Sequence, residues 1–358
     1  MTNGSGVSVL AIADDIPDLF LAFASIVLDS YPVFASVILD SYPAFASVIL
    51  DSYPVFVAVV PDPYLGVAFA LAAACAFAVQ FLCVRIGTRD GDVVGVVLVS
   101  LLCNVALVVP LVALFYPLSF EALFTPLSLL SFALAGIFGS LLARLLMFKS
   151  IEVIGASRTS PIVSSNVFFA TALAVVFLGE RLTATHFVGI VLVVGGVAVI
   201  SWETATSEPD RPLREVGLSL VLPLLAAAAI GVEPIFVSFG LAEGTPVLPG
   251  VAIKVSVATV SFAGYVALYR SGLRIPVRDR IVIWYLGAGL TSAIGIISYF
   301  AALELAPVVT VVPILQTTPL LVAGLSAIFL PQHIERVTPR LVGAALVVVV
   351  GATLVSLS

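Results

Sequence analysis

The sequence predicts an all-α integral membrane protein in which ten transmembrane helices form two inverted five-helix repeats. Of its 358 residues, 61% are apolar and only 10% are charged, a balance that is not found in ordinary soluble domains. Apolar runs near twenty residues recur from residue 64 onward, and each can cross a hydrocarbon core of about 30 Å as a helix. The sequence of segment 148 to 180 is partly repeated at 300 to 332, an offset of 152 residues, which indicates an internal duplication.

The duplication extends beyond one apolar segment. Pro161 in the first copy aligns with Pro313 in the second. The same offset, within a residue or two, also aligns the segment that begins at Leu71 with the segment that begins at Leu224. Because separate segments share one offset, apolar composition alone does not explain the matches.

Residues 1–63 form a leader with three near-identical repeats of eleven residues between 24 and 56. Each repeat carries an aspartate, which costs about 2.5 to 3.5 kcal/mol at a membrane centre, and a proline, which would kink a helix. No uninterrupted apolar run there reaches eighteen residues, so we predict no span. Three interpretations stay open: an interfacial or disordered leader, a true start near residue 55, or an additional span.

The remaining apolar runs divide into two sets of five. The first repeat, 64–202, and the second repeat, 216–358, are joined by a polar linker at 203–215. Because each repeat has an odd number of spans, the second copy must be inverted in the membrane, as in transporters whose site lies at the repeat interface. The predicted spans are 64 to 85, 93 to 116, 128 to 148, 159 to 179, 186 to 202, 216 to 239, 247 to 269, 281 to 303, 308 to 330 and 340 to 357.

Residues 151 to 200 carry the most specific pattern in the chain. A turn of small residues at 155–157 precedes a helix with Pro161, which ends in Gly179 and Glu180 before a last helix that contains glycine. In this pattern the chain resembles the EamA-type branch of the drug/metabolite transporter (DMT) superfamily, over residues 64 to 358. The resemblance implies ten helices and secondary transport of a small metabolite, amino acid or drug, with the substrate left open. The second half has Pro-Gln where the family has Gly-Glu, so a role at a gate carries over only to Glu180.

Basic residues concentrate on one side of the predicted topology. The loops after spans 1, 3, 5, 7 and 9 contain twelve of them, whereas the loops on the other side contain only Arg181. The positive-inside rule places the basic side in the cytoplasm, so both ends of the ten-helix core would lie outside. Members of the family usually have both ends inside. An additional span in the leader would return Met1 to the cytoplasm without changing the core.

Glu233 and Lys254 are the sharpest candidates for a transport site. Each lies seven or eight residues from the loop that joins predicted spans 6 and 7, so these antiparallel neighbours place them at similar depth. A charge inside a span is costly and normally faces a partner or a pathway. We expect a switchable ion pair, in which protonation of Glu233 or competition by substrate for Lys254 couples binding to rearrangement. A static structural pair is the alternative. Gln80 aligns with Glu233 in the first repeat.

Polar residues cluster around the two aligned prolines. A proline removes a backbone hydrogen bond, and the carbonyl that it frees can line a pathway or allow a bend. These polar side chains are expected to bind a polar solute, although ordinary packing between helices is the alternative for each. The expected pathway residues are Pro161, Ser165, Asn166, Pro313, Gln316 and Thr317, with Asn104 and Tyr299 as weaker members.

Other polar residues suggest no further chemistry. Arg144 lies about one turn from the end of predicted span 128 to 148, so we expect it to anchor that helix at the interface. The three cysteines have no metal-ligand spacing, and His186 is expected in a loop without a metal or nucleophile partner. We therefore expect neither a metal nor a cofactor.

The sequence supports a carrier and no enzyme. It contains no HExxH, GxSxG or nucleotide-binding motif, and its net charge of −6 disfavours nucleic acid as a partner. The partners expected are a small-molecule substrate, with proton coupling as one option, and the lipid bilayer of the cell membrane. A lipid-linked substrate flippase and a non-transporting membrane sensor on the same scaffold are alternative functions. A monomer and a homodimer are both open.

Overall fold

A computed structural model describes residues 62–88, 93–116, 119–154, 159, 162–204, 220–269, 281–329 and 339–356. The predicted leader, almost all of the predicted linker, and Pro161 lie outside these residues. Within the described ranges the regular structure is helical throughout, and no strand occurs there. The prediction of an all-α chain is confirmed for this part of the protein.

The first half contains seven α-helices, counted within the described ranges, and two π-helical stretches. The stretch Gly136–Leu142 continues α4 into α5, and Ala174–Leu178 extends α6. The helices are α1 Asp62–Gly87, α2 Val93–Phe115, the short α3 Phe120–Leu123, α4 Pro126–Ala135, α5 Ala143–Ile154, α6 Asn166–Leu173 and α7 Ala184–Thr204.

The second half contains six further helices in its described ranges. Their bounds are α8 Val221–Ala242, α9 Val247–Tyr269, α10 Ile281–Leu305, α11 Val308–Leu315, α12 Thr318–Phe329 and α13 Pro339–Ser356. Among the residues that the structure describes, six helices are long and apolar enough to cross a membrane, and four shorter apolar helices lie at the positions of the other predicted spans. The chain is therefore a multi-pass membrane protein by length and composition, whereas the count of ten spans stays a prediction.

Local signals explain where helices begin. At α4, the Thr125 side chain accepts a hydrogen bond from Ser128 N, and the Ser128 side chain accepts one from Thr125 N, both at 3.0 Å. Pro126 follows at the first helical position, where a missing N–H is harmless. These features begin the third membrane helix at a defined residue.

The fourth apolar segment of each half is interrupted at equivalent places. Turns at Ser164–Ser165 and Gln316–Thr317 precede α6 and α12, and their positions differ by the repeat offset of 152 residues. In each turn the second residue donates a backbone hydrogen bond of 3.0 Å to the carbonyl three residues earlier, from Ser165 to Ile162 and from Thr317 to Ile314. The chain thus has a pseudo-symmetric pair of broken helices, as expected when a proline precedes each turn.

Small residues let helices of different halves approach closely. A Cβ at Gly189 in α7 would lie 2.7 Å from the carbonyl oxygen of Gly351 in α13, and one at Gly196 would lie 2.9 Å from that of Ala344. A Cβ at Gly231 in α8 would lie 2.8 Å from the Asn166 carbonyl oxygen in α6. Such close approach is typical of helix pairs in membranes, where packing replaces the hydrophobic effect. The two halves are therefore interleaved, with α8 against the first half.

Candidate functional site

Glu233 and Lys254 form a buried ion pair between α8 and α9. The two helices are antiparallel neighbours, because only a short turn separates the end of α8 at Ala242 from the start of α9 at Val247. The Lys254 side chain is 5% exposed and the Glu233 side chain is 12% exposed. The residues that the sequence places at similar depth are thus in direct contact.

Aromatic rings cover one side of this ion pair. Lys254 Nζ lies 5.4 Å from the centroid of the Phe300 ring in α10, within the range of a cation–π interaction. Phe132 of α4 stacks on Phe300, with ring centroids 5.9 Å apart. The Phe132 ring fits there because Gly240 and Gly250 face it, and a Cβ at either would lie within 2.6 Å of its tip.

The π-helical stretch Gly136–Leu142 meets the ion pair on another side. Gly139 faces the Glu233 carboxylate so closely that a Cβ there would overlap it. A Cβ at Gly136 would lie 2.6 Å from the Lys254 carbonyl oxygen. A π-helical stretch changes which residues of a helix face a given neighbour, and such stretches are common at functional sites. Here it lets the backbone of the third membrane helix contact both charged residues.

Arg144 and Tyr299 lie on two further helices that pack against α8, the helix that carries Glu233. Arg144 belongs to α5 and Tyr299 to α10. Tyr299 is buried and Arg144 is half-buried. The expectation that Arg144 lies one turn from a helix end is wrong, because α5 continues ten residues further, to Ile154. Arg144 therefore lies ten residues from the end of this helix rather than one turn from it.

A second polar contact joins the two broken helices. Gln316 Nε2, at the turn before α12, donates a 3.0 Å hydrogen bond to Asn166 Oδ1 at the start of α6. Asn166 Nδ2 in turn donates to the Val163 carbonyl at 3.0 Å. Gly231 of α8 packs on the Asn166 backbone, two residues before Glu233. The two polar contacts therefore lie along one helix, α8.

The other predicted pathway residues have separate local roles. Ser165 Oγ and Thr317 Oγ1 each donate to the carbonyl three residues earlier, at 2.6 and 2.8 Å. Pro313 is buried in α11. These bonds satisfy carbonyls at the breaks, so the two hydroxyl groups support the turns.

Asn104 and Gln80 lie on the helices of the first half. Asn104 is buried in α2, where its Nδ2 donates to Ser292 Oγ at 3.2 Å and its Oδ1 has no hydrogen-bond partner among the described residues. Gln80 is half-buried on α1, which packs on α10, α11 and α12. The structure therefore does not bring either residue into the contacts that surround Glu233.

Glu180 joins the first half to a helix of the second. Its carboxylate accepts hydrogen bonds from the backbone N–H groups of Val308 at 2.8 Å and Val309 at 2.9 Å, in the first turn of α11. Gly179 precedes it in the left-handed conformation, with φ of 68°, and ends the π-helical stretch as glycine commonly does. Burial raises the pKa of the Glu180 carboxyl above its ordinary value of 4.5, and the N–H groups of Val309 and Val308 partly oppose this shift.

His186 lies in a helix rather than in the predicted loop. It is buried in the first turn of α7, where its Nδ1 lies 2.8 Å from Thr183 Oγ1. Its Nε2 lies 3.4 Å from Thr310 Oγ1 in α11. No group of three or more His, Cys, Asp or Glu that could hold a metal ion occurs among the described residues. His186 therefore provides a polar contact between α7 and α11, near the bonds that Glu180 makes to the start of α11.

Sequence reasoning missed the aromatic and glycine parts of the cluster. Phe132 and Phe300 carry no signal in a chain this rich in apolar residues. The spacing of Gly136 and Gly139 within a predicted span is a usable signal, because small residues in a span mark close approach by another helix.

Comparisons with known proteins agree with this architecture. The EamA-like transporter family matches residues 64–202 and again residues 217–357. One solved structure, titled only "Crystal structure of protein", has a TM-score of 0.68 over 82% of this chain and 96% of its own, at 14% identity, which shows a shared fold. No curated protein matches the chain. Because the two family matches cover well over half of the 358 residues, the chain belongs to the EamA-like transporter family.

Proposed function

We propose that the protein is a secondary carrier that exports or exchanges a small metabolite, amino acid or drug-like solute by alternating access. The observation that carries the proposal is the buried Glu233–Lys254 ion pair, in contact with a π-helical stretch and with aromatic rings. Burying charges among membrane helices costs free energy, and charged residues that are kept there commonly mark a functional site. The family membership supports transport as the general activity.

The broken helices support an alternating-access mechanism. In inverted-repeat carriers, discontinuous helices meet near the repeat interface, and one half rocks against the other around a central site. Here the turns before α6 and α12 meet through Gln316 and Asn166, which belong to different halves. We propose that solute binds between α8 and these turns, with Glu233 and Lys254 at one side of the site.

The ion pair provides a means of coupling. While Glu233 is ionised, it pairs with Lys254, and a solute must compete with the Glu233 carboxylate for Lys254. Protonation of Glu233 removes that competition, so proton binding and solute binding favour the same rearranged state. A static pair would show no such linkage.

The proposed topology follows the predicted repeats. Repeats 64–202 and 216–358, joined by the linker 203–215, would each contribute five spans in a multi-pass protein of the cell membrane. The excess of basic residues places the loops after odd-numbered spans in the cytoplasm. On that reading, the Glu180 contact with α11 lies at the external side.

The test is proton-coupled uptake into proteoliposomes of a panel of amino acids, nucleobases, organic acids and cationic drugs. Wild type is compared with Glu233→Gln and Lys254→Ala, and with Glu121→Gln as a matched control, because Glu121 is exposed in the short α3. We expect flux of at least one compound, abolished in both pair variants and retained in the control. Flux that survives both pair variants would make the pair structural, and no flux with any compound would count against the carrier itself.

A further inference from the structure

We propose that the carrier has a second solute subsite, formed by Ser100 and Asn104 of α2 and Ser292 of α10. It binds an uncharged group that both donates and accepts hydrogen bonds, a hydroxyl or a carboxamide. This inference rests on the proposed carrier function and adds a part of the site that discriminates between solutes. The juxtaposition that carries it is two buried, unpartnered polar atoms one turn apart on α2, at the place that corresponds to the ion pair in the other repeat.

The first step is the position of these residues within the duplication. Ser100 lies seven residues after the first residue of α2, and Lys254 lies seven residues after the first residue of α9. The two helices are the second membrane helices of their repeats. In the first membrane helices, Gln80 aligns with Glu233. The first repeat therefore has uncharged polar residues where the second repeat has the ion pair.

The packing of the third membrane helix in each repeat agrees with this correspondence. A Cβ at Gly136, in the first repeat, would lie 2.6 Å from the Lys254 carbonyl oxygen. A Cβ at Gly289, in the second repeat, would lie 3.4 Å from Ser100 Cα. The two glycines are 153 residues apart (289 − 136), within one residue of the repeat offset of 152. Ser100 therefore lies against α10 as Lys254 lies against the π-helical stretch.

The second step is the hydrogen bonding of this uncharged counterpart. Asn104 Nδ2 donates to Ser292 Oγ at 3.2 Å, whereas Asn104 Oδ1 and Ser100 Oγ have no hydrogen-bond partner among the described residues. Asn104 is 1% exposed and Ser100 is 3% exposed, so the surrounding medium does not supply the missing partners. A buried polar atom without a partner costs free energy, and each such atom requires an explanation. A ligand that binds in another state of the transport cycle provides one.

The third step is the chemistry of the missing partner. Asn104 Oδ1 accepts a hydrogen bond, and the Ser100 hydroxyl can donate or accept one. A hydroxyl or a carboxamide satisfies both atoms, because each group contains a donor and an acceptor. None of the three subsite residues has a charged hydrogen-bond partner among the described residues, so an ion would lose its hydration there without compensation. The subsite therefore favours an uncharged polar group.

The fourth step is access to the subsite. The helix α2 belongs to the first half and α10 to the second, and a Cβ at Gly289 would overlap Cys103, so the two helices are in close contact. This contact covers the unpartnered atoms in the conformation described. In the proposed mechanism the two halves rock against each other. Separation of α2 from α10 during that motion exposes Asn104 and Ser100 to the solute.

The experiment measures uptake of matched solutes into proteoliposomes that contain the full-length protein. Malate carries a hydroxyl that succinate lacks, threonine has a hydroxyl where valine has a methyl group, and asparagine has a carboxamide where leucine has an isopropyl group. We expect the wild type to prefer the polar member of at least one pair by about ten-fold in kcat/KM, the effect of one hydrogen bond. In Asn104→Leu that ratio should fall to about one, and in Ser100→Ala to an intermediate value.

Measurements of stability and a matched variant distinguish binding from packing. Ser100→Ala removes a hydroxyl that has no partner, so it should not lower the unfolding midpoint of the solute-free protein. A residue that only supports the fold would show the reverse, a lower midpoint with an unchanged ratio. Thr259→Val is the control, because this buried hydroxyl of α9 already donates to the Val255 carbonyl at 2.7 Å. We expect Thr259→Val to retain the wild-type ratio.

The outcomes separate this inference from the carrier proposal. If solutes are carried but the ratio is unchanged in both Ser100→Ala and Asn104→Leu, or if the wild type shows no preference within any pair, the subsite is refuted and the carrier proposal stands. An equal loss of preference in Thr259→Val would also refute it, since the effect would then be one of packing. Flux of no compound would count against the carrier and against this inference with it.

Discussion

Glu180→Ala is the substitution that best tests whether the contact between the halves controls the conformation. The first N–H groups of a helix have no partner within the helix, and Pro307, which precedes α11, provides no side-chain cap. Glu180 supplies that cap from the other half, with bonds of 2.8 and 2.9 Å to Val308 and Val309. We expect its loss to free the start of α11.

The magnitude follows from the two bonds. A hydrogen bond to a charged group contributes roughly 1.5 to 3 kcal/mol. Glu180 is only half-buried, so water can replace part of the loss, and we take about 2 kcal/mol in total. That corresponds to a shift of about 30-fold in the equilibrium between the capped state and a state in which this contact is broken.

The assay is thiol labelling of a single cysteine at Val308, which is 1% exposed in the capped state. Cys75, Cys83 and Cys103 are first replaced by alanine. In this background Glu180→Ala should raise the labelling rate of Val308→Cys by about 30-fold if opening is fast relative to labelling.

Glu121→Ala is the control for this substitution, since it removes an exposed carboxylate that caps no other helix. Glu180→Gln should give an intermediate labelling rate, because a neutral amide oxygen is a weaker hydrogen-bond acceptor than a carboxylate. Labelling of Glu180→Ala at the control rate, with an unchanged unfolding midpoint, would refute the argument that this cap holds α11.

Three further predictions concern pH, pairing and packing. Because the pKa of Glu180 is raised in the folded protein, folding stability should fall as pH rises from 4.5 through the folded pKa. In a plot of unfolding midpoint against pH, Glu180→Gln should flatten that part of the curve. Glu233→Gln and Lys254→Gln should each lower the free energy of unfolding by about 3 to 5 kcal/mol, since each leaves a buried charge unpaired. The double variant should lose less than the sum of the two, and strict additivity in denaturant titrations would contradict this. Gly196→Ala should destabilise by about 1 to 3 kcal/mol, because its Cβ would lie 2.6 Å from Val348 Cγ2, whereas the neighbouring Gly195→Ala has open space and should be neutral in the same measurement.

The helix positions were largely predictable because apolar length is a property of the chain itself. The predicted span 247 to 269 coincides with α9, Val247–Tyr269, and 281 to 303 ends two residues before α10 does. The third span was predicted to end too early, at 148 where α5 ends at Ile154, because Lys149 and Glu152 lower the apolar signal while the helix continues. Because of that difference, Arg144 lies ten residues from the end of α5 instead of about one turn from it.

The candidate site was predictable only in its simplest part. Glu233 and Lys254 lie at matched distances from a short turn, so antiparallel packing alone brings them together. Phe300 contacts Lys254, and Gly139 faces the Glu233 carboxylate, from helices that are distant in sequence, and no periodicity within one helix indicates such contacts. The hydrogen bond between Asn166 and Gln316 likewise cannot be inferred until the positions of the two helix breaks in space are known.

By itself the sequence determined that the chain is a membrane protein, that it is duplicated, and which family it resembles, because hydrophobic transfer, helix hydrogen bonds and repeat offsets act along the chain. The tertiary structure decided which helices of one half pack on the other, which residues surround the Glu233–Lys254 ion pair, and that Glu180 caps α11. These contacts join residues far apart in sequence. Electrostatic and packing energies depend on distance in space, so folding has to bring the partners together before their chemistry can be inferred.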